Sequence, residues 1–149
     1  MEDRFTRGFF AGVVGALAMS VVSYTSFYVF HFTEMRLLDY AAAALFGHKV
    51  FTLWQEIFAQ LAQFVFSGIM GILFAYLLTK ITSRNYLFKG WIFGISVWFF
   101  LFAMGTLYRL PHLFKVAPET AFTNLVASSV YGLVLAQTLH WLDIRIKNK

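Results

Sequence analysis

The side chains that could do chemistry gather in and beside two connectors between apolar segments. We name this set the His/Glu cluster: His31, Glu34, His48, Glu56, His112 and Glu119. His31 and Glu34 lie three residues apart, a spacing that puts both on one helical face. Imidazole with carboxylate is a ligand set for zinc or iron, and imidazole titrates near neutral pH. The cluster could therefore bind a metal or respond to protons, provided that the segments carrying it converge.

Other observations weaken a catalytic reading of the cluster. His140 and Asp143 repeat the three-residue spacing elsewhere, and the chain contains no HExxH motif and no paired Glu-x-x-His motif. Because it also lacks Cys, thiolate catalysis and Cys-ligated metal are excluded. The sequence thus predicts no catalytic residue, no bound metal and no cofactor. A metal site, a functional polar cavity and ordinary solvated helix ends all stay open as interpretations.

Composition indicates that the elements holding these residues lie in a membrane. Hydrophobic residues make up 60% of the chain and charged residues 13%, whereas a soluble domain carries about 25% charged residues. A membrane-spanning helix needs about 20 mainly apolar residues, and four segments qualify: 8–32, 57–79, 91–110 and 120–142. Peptide groups in hydrocarbon must be hydrogen-bonded within the segment. We therefore predict an all-α polytopic membrane protein, a four-transmembrane-helix bundle forming one domain over residues 1–149.

The distribution of basic residues predicts the orientation. Eight Lys and Arg lie in the N-terminal tip, the 80–90 loop and the C-terminal tail, and four lie in the other two connectors. The positive-inside rule then puts both termini in the cytoplasm and the His/Glu cluster on the outer face. The net charge of +5 would meet anionic lipid headgroups at the cytoplasmic face. The basic residues are too scattered to indicate nucleic-acid binding.

The connector between the first two spans predicts a short helix. Its stretch "RLLDYAAAALF" (36–46) is rich in Ala and Leu, and Gly47 follows as a stop signal. Eleven residues make about 16 Å of helix at about 1.5 Å per residue, too short to span the bilayer. We expect an interfacial helix, or a re-entrant one, between spans one and two.

Small and weakly polar residues recur along each span and predict the faces where helices pack. Examples are Gly8, Gly12, Ala16 and Ser20 in the first span, and Gly90 and Gly94 in the third. A second interpretation is a hydrated path, because intramembrane amides are costly unless paired. The candidate intramembrane polar lining comprises Gln60, Gln63, Ser67, Asn124 and Ser128. Since no span has an ionised group near its middle, a proton relay is disfavoured.

Two stretches carry a family resemblance. "FHFTE" (30–34) and "KGWIFGISVWFFLF" (89–102) resemble segments of the YqhR-type membrane proteins of Gram-positive bacteria. The layout of glycine-rich first span, outer connector, tight cytoplasmic turn and Pro-containing outer connector is similar to that of the YagU-type bacterial inner-membrane proteins. The resemblance implies a multi-pass protein of the bacterial plasma (inner) membrane and no established activity.

These observations favour a small non-enzymatic membrane protein of unknown activity, either channel-like or transport-like or binding a solute. We expect a homo-oligomer, whose small-residue faces would serve packing between subunits as well as within them. One alternative is a membrane-embedded enzyme or metal protein that uses the His/Glu cluster. Another is an accessory or scaffold subunit of a membrane complex.

Overall fold

Five α-helices build the molecule in a computed structural model that describes residues 3–31, 36–47, 52–81, 85–108 and 117–147. They are α1 (Arg4–Tyr28), α2 (Leu37–Phe46), α3 (Leu53–Lys80), α4 (Tyr86–Leu107) and α5 (Pro118–Lys147). Four of them, α1, α3, α4 and α5, are long and apolar enough to cross a membrane. The prediction of an all-helical, four-span bundle with a short helix between the first two spans is confirmed.

α1 and α3 begin before the predicted apolar segments because polar side chains cap them. The Asp3 side chain accepts hydrogen bonds from the backbone N–H of Phe5 and of Thr6 and so starts α1 at Arg4. The Thr52 side chain accepts from the N–H of Gln55 at the start of α3. α5 begins at Pro118, where the missing N–H of proline costs nothing. Capping therefore extends α1 and α3 by about one turn beyond the predicted spans.

α2 packs into one end of the bundle. Asp39 Oδ2 accepts from the Arg36 N–H over 2.8 Å, as the third residue of a capping box does. Gly47, at φ +74°, ends the helix in the left-handed conformation that glycine adopts without strain, as predicted. Leu38 and Ala42 are buried against α3. We call this end of the bundle the α2 end, and the opposite one, where α1 begins and α5 finishes, the terminal end.

α1 and α3 meet backbone to backbone through their small residues. A methyl group at Gly12 would overlap the carbonyl of Ser67, and one at Gly71 would overlap the carbonyl of Gly8. Such close approach lets helices associate without a hydrophobic driving force in lipid. The prediction that the small-residue stripes mark the packing faces is confirmed for this pair.

α4 and α5 pair in the same way. A methyl group at Gly90 would overlap the carbonyl of Gly132, and one at Gly94 would overlap that of Ser128. Extensive contacts between α1 and α5 join the two pairs, so the helices form the row α3–α1–α5–α4. α3 and α4 stand at the two ends of this row and touch each other little. This spacing leaves room between them.

Large apolar side chains cover the outside of the bundle. Among them are Phe10, Phe58, Leu61, Phe99, Phe100 and Phe122, all more than two-fifths exposed. A soluble monomer rarely exposes so continuous an apolar surface. Together with the four long apolar helices, this surface makes the chain an integral membrane protein.

Candidate functional site

The structure describes three residues of the His/Glu cluster, while Glu34, His48 and His112 lie outside the described residues. His31 is exposed, with its backbone at φ +51°, and Glu119 is exposed in the first turn of α5. Glu56 accepts a hydrogen bond from Arg36 Nη1 over 2.6 Å. Within the described ranges, no group of three or more His, Asp or Glu is placed to hold a metal ion.

Arg36, which the sequence patterns did not single out, joins three helices at the α2 end. Its guanidinium binds Asp39 of α2 at 3.3 Å and Glu56 of α3 at 2.6 Å, and donates to Tyr28 Oη of α1 at 3.1 Å. The guanidinium carbon lies 5.6 Å from the centroid of the Phe27 ring. Burial opposes the charge of Arg36, but the hydrogen bond to Asp39 and the charges of Asp39 and Glu56 outweigh it and raise its pKa. Arg36 therefore stays cationic and holds α2 in place.

Two of the candidate lining residues form hydrogen bonds across the α1–α3 interface. The side-chain amides of Gln60 and Gln63 both donate to Ser20 Oγ, at 3.4 and 3.5 Å. Gln60 Oε1 also accepts from Tyr24 Oη at 2.8 Å. The structure thus brings both glutamines together with α1 partners, as expected for amides that must be paired in hydrocarbon.

The other three candidate lining residues are buried further along the bundle. Ser67 is buried, and its carbonyl accepts a hydrogen bond from Tyr131 Oη over 2.8 Å. Ser128 is also buried, and Asn124 is only 1% exposed. Asn124 lies beside the Tyr40 hydroxyl, close enough to affect its pKa. Of the five predicted lining residues, Gln63, Ser67 and Ser128 meet at one cavity.

This cavity occupies the space between α3 and α4 and has a volume of about 420 Å³. Tyr40, Ala41, Ala44 and Leu45 of α2 line it at the α2 end. Its wall is mostly apolar and includes Phe66, Met70, Val97, Leu101, Phe102 and Met104. Ligand sites have this character: an apolar enclosure of some hundreds of Å³ with a few polar groups. We name it the α3–α4 cavity.

An aromatic group links α2 to α4 in the wall of the α3–α4 cavity. The rings of Tyr40 and Phe102 have centroids 5.8 Å apart, and those of Trp98 and Phe102 lie 5.0 Å apart. Tyr40 and Trp98 each add one polar group to this aromatic part of the wall. The sequence patterns missed both residues, because a lone aromatic residue in an apolar segment looks the same whether it faces lipid or a cavity.

Buried polar atoms without partners concentrate around the α3–α4 cavity. Tyr40 Oη, Gln63 Oε1, Trp98 Nε1 and Asn124 Nδ2 have no hydrogen-bond partner within the part of the chain that the structure describes. Burial raises the pKa of Tyr40 to about 12, and the neighbouring Asn124 side chain opposes this rise. Each unsatisfied buried group costs about 1–3 kcal/mol. These atoms each have less than 1 Å² of accessible surface, so they are packed against protein and do not face the open part of the cavity.

The polar groups give way to an apolar core toward the terminal end. Phe74 and Leu135 are fully buried, and the Phe74 ring lies 5.1 Å from that of Phe93. Beyond this core, Arg7 of α1 forms an ion pair with Asp143 of α5. The α3–α4 cavity is therefore flanked by charged groups at the α2 end and by tightly packed apolar side chains on its other side.

No curated protein and no solved structure matches the chain. The model of the family of unknown function DUF6789 matches residues 2–148, so the chain belongs to that family.

Proposed function

We propose that this integral membrane protein is not an enzyme and binds an apolar or amphipathic small molecule in the α3–α4 cavity. The observation that carries the proposal is the position of the cavity between the two helices at the ends of the row, which touch each other little. Leu45, Phe66 and Leu101 line the cavity and are also about two-fifths to one-half exposed. The cavity therefore reaches the surface that lipid chains would cover, and a molecule dissolved in the bilayer can enter from the side.

The packing on the terminal side of the cavity supports binding over passage through the bundle. A channel or transporter needs a polar path along the helices. The buried polar side chains of the core are interrupted beyond Ser67 and Tyr131, where Phe74 and Leu135 are fully buried. Channel or transport activity therefore has less support than solute binding.

The alternative is a membrane-embedded enzyme or metal protein. Among the described residues, no group of His, Asp and Glu side chains supports it. Glu56 is bonded to Arg36, and Glu119 is exposed at the start of α5. Neither carboxylate is placed with two other described ligands. The solute-binding proposal uses groups that do converge.

We also propose, from the sequence, how the protein is oriented in its membrane and what it contacts there. They are cytoplasmic termini from the basic-residue distribution, anionic lipid headgroups at that face, and a homo-oligomer. A bacterial plasma membrane and a relationship to YqhR-type or YagU-type proteins follow from the resemblance. With cytoplasmic termini, the α2 end would lie on the outer face.

Fluorescence quenching of Trp98 in lipid nanodiscs tests the proposed binding. Trp98 lines the cavity, whereas the other three Trp are 37–80% exposed, so Trp54→Phe, Trp91→Phe and Trp141→Phe leave a cavity reporter. A monoacylglycerol with a dibrominated chain should quench this reporter saturably. Quenching that only rises in proportion to probe concentration would contradict the proposal, because it reports simple dissolution in lipid.

Two neighbouring residues on α3 provide the matched variants. Ala62 lines the cavity, and Leu61 is 56% exposed on the lipid-facing side. In the reporter background, Ala62→Phe should fill the cavity and abolish saturable quenching, while Leu61→Phe should leave it unchanged. Equal quenching in both variants would mean that the probe binds elsewhere.

A further inference from the structure

We infer that the α3–α4 cavity takes the hydrocarbon chain of a membrane amphiphile, methyl end first, and that the ring pair of Phe74 and Phe93 limits the length of chain it accepts. The inference rests on the proposed function and deepens it. It names the class of ligand, the direction in which the chain lies and two residues that determine which chain fits.

The cavity is elongated along the helices. Its wall runs eight residues along α3, from Ala62 to Met70, and eleven along α4, from Gly94 to Gly105. These stretches are about 12 and about 16 Å long at about 1.5 Å per residue. One half of the hydrocarbon core of a bilayer is about 15 Å thick. The cavity therefore has the length of a lipid chain in one leaflet.

The cavity opens toward lipid at the level of α2 and becomes more enclosed away from it. The lining residues Leu45, Phe66 and Leu101 are about two-fifths to one-half exposed and mark the mouth. Away from the α2 end, the wall continues one turn beyond Phe66 to Met70 on α3, and about two turns beyond Leu101 to Gly94 on α4. Met70 is only partly exposed and Gly94 is buried.

A pair of aromatic rings closes the enclosed end of the cavity. Phe74 lies one turn beyond Met70 on α3, and Phe93 directly precedes Gly94 on α4. Their ring centroids are 5.1 Å apart. Phe74 is fully buried, and Phe93 packs against the same core. A chain that enters at the mouth therefore ends against these two rings.

The wall between the mouth and the ring pair suits hydrocarbon. None of the described side chains that line it belongs to Asp, Glu, Lys, Arg or His, so a charged group inside would lose its hydration without gaining a counter-charge. Met19, Met70 and Met104 contribute thioether side chains, which adapt to irregular apolar shapes. The chain therefore fills the cavity, and the head group stays at the mouth beside Leu45.

Two fluorescence reporters test the direction of the chain. The first is Trp98 in the background with the other three Trp replaced by Phe. The second adds Trp98→Phe and Phe93→Trp, which keeps a ring at the enclosed end, about 7 Å farther from the mouth at about 1.5 Å per residue. The probes are monoacylglycerols brominated in mid-chain or near the methyl end. The nanodiscs consist of diphytanoyl phosphatidylcholine, which offers no unbranched chain to compete.

Bromine near the methyl end should quench the Phe93→Trp reporter more than mid-chain bromine does, and the order should reverse for Trp98. Ile92→Trp in place of Phe93→Trp is the matched control, because Ile92 is 44% exposed. Its quenching should rise only in proportion to probe concentration. If mid-chain bromine quenches both cavity reporters more strongly, the chain does not reach the ring pair and the inferred direction is overturned.

A series of chain lengths tests the limit set by the ring pair. Unlabelled monolaurin, monopalmitin and monoarachidin compete against the mid-chain probe in the Trp98 reporter. A short chain leaves empty volume in an apolar interior, which is unfavourable, so monolaurin should need about tenfold more than monopalmitin. Monoarachidin should gain nothing over monopalmitin, because the rings stop the longer chain.

Phe93→Ala removes one ring of the pair. Monoarachidin should then compete about threefold to tenfold better than monopalmitin. Phe93→Leu is a milder change that the packing tolerates more easily, and it should shift the preference in the same direction by less. Phe99→Ala is the control, because Phe99 is 67% exposed on α4 and does not line the cavity. Its preference should equal that of the parent reporter.

The possible failures are distinguishable. If the probe quenches Trp98 saturably but all three monoacylglycerols compete equally, the length limit is overturned and ligand binding stands. The same conclusion follows if neither Phe93→Ala nor Phe93→Leu changes the preferred length. An absence of saturable quenching of Trp98 by either probe would overturn the proposed function itself.

Discussion

Arg36 and Glu56 form an ion pair with Nη1 and Oε1 2.6 Å apart, and this contact ties α2 to α3. The same guanidinium binds Asp39, whose side chain is only 8% exposed. Asp39 also caps the start of α2 through the Arg36 N–H. One residue thus organises the helix that closes the α3–α4 cavity at the α2 end.

Arg36→Gln should loosen α2. The change leaves Asp39 buried without its counter-charge, and we expect a loss of about 1–3 kcal/mol in the local stability of α2. Hydrogen exchange of the amides in Leu37–Phe46 should accelerate about tenfold or more, while those in the middle of α5 stay protected. Glu119→Gln is the control, because Glu119 is exposed. Unchanged exchange in α2 would show that Arg36 does not hold the helix.

Tyr40→Phe and Tyr131→Phe should differ in their effect on stability. Tyr131 Oη donates to the Ser67 carbonyl, so its removal should lower the free energy of unfolding by about 1 kcal/mol. Tyr40 Oη has no partner among the described residues, so Tyr40→Phe should be neutral or slightly stabilising in ligand-free protein. Unfolding both variants in mixed detergent micelles makes the comparison. If Tyr40→Phe lowered the free energy of unfolding as much as Tyr131→Phe does, the Tyr40 hydroxyl would have to form a hydrogen bond in the folded protein.

The Tyr40 phenol should lose its proton at a higher pH than an ordinary tyrosine does. Its pKa is raised to about 12 by burial, against about 10 for an ordinary tyrosine. Because the folded-state pKa is the higher one, the stability linked to the neutral phenol is fully present below about pH 10 and is lost as the pH rises from there through 12. The difference in phenolate absorbance between the wild type and Tyr40→Phe should therefore have its midpoint near pH 12. A midpoint near pH 10 would mean that Tyr40 is solvated.

Gly12→Ala and Gly47→Ala should destabilise for different reasons. A methyl group at Gly12 would overlap the Ser67 carbonyl and push α1 from α3, at a cost of about 1–3 kcal/mol. A methyl group at Gly47 meets no atom, so only its φ of +74° matters, at about 1 kcal/mol. The free energy of unfolding should fall in both variants, but only Gly12→Ala should alter cross-linking between cysteines introduced on α1 and α3. Unaltered cross-linking in Gly12→Ala would contradict the close α1–α3 packing.

Much of the fold follows from the sequence because lipid imposes simple rules. Runs of about 20 apolar residues predict the spans, and the small residues at Gly12, Gly71, Gly90 and Gly132 mark the faces that pack. Gly47 ends α2 as its residue type predicts. These features are local, since each depends on the chain within a few turns.

The candidate site is less predictable because it depends on which helices separate. No pattern in the sequence predicts that α3 and α4 are separated. Because they are separated, Tyr40 and Trp98 line a cavity and do not face lipid. Arg36 and Asp39 did carry a signal, because opposite charges three residues apart at the start of an Ala-rich helix are typical of a capped and paired helix start. The search for His and carboxylate ligands passed over that pair.

Native mass spectrometry of the unmodified chain, released from nanodiscs made with its own membrane lipids, would show directly whether the α3–α4 cavity holds a ligand. We expect one apolar or amphipathic molecule to be retained per chain, to be kept in Leu61→Phe and to be lost in Ala62→Phe. Chains that carry no such molecule, or that retain it equally in both variants, would contradict the assignment of the α3–α4 cavity as a ligand site.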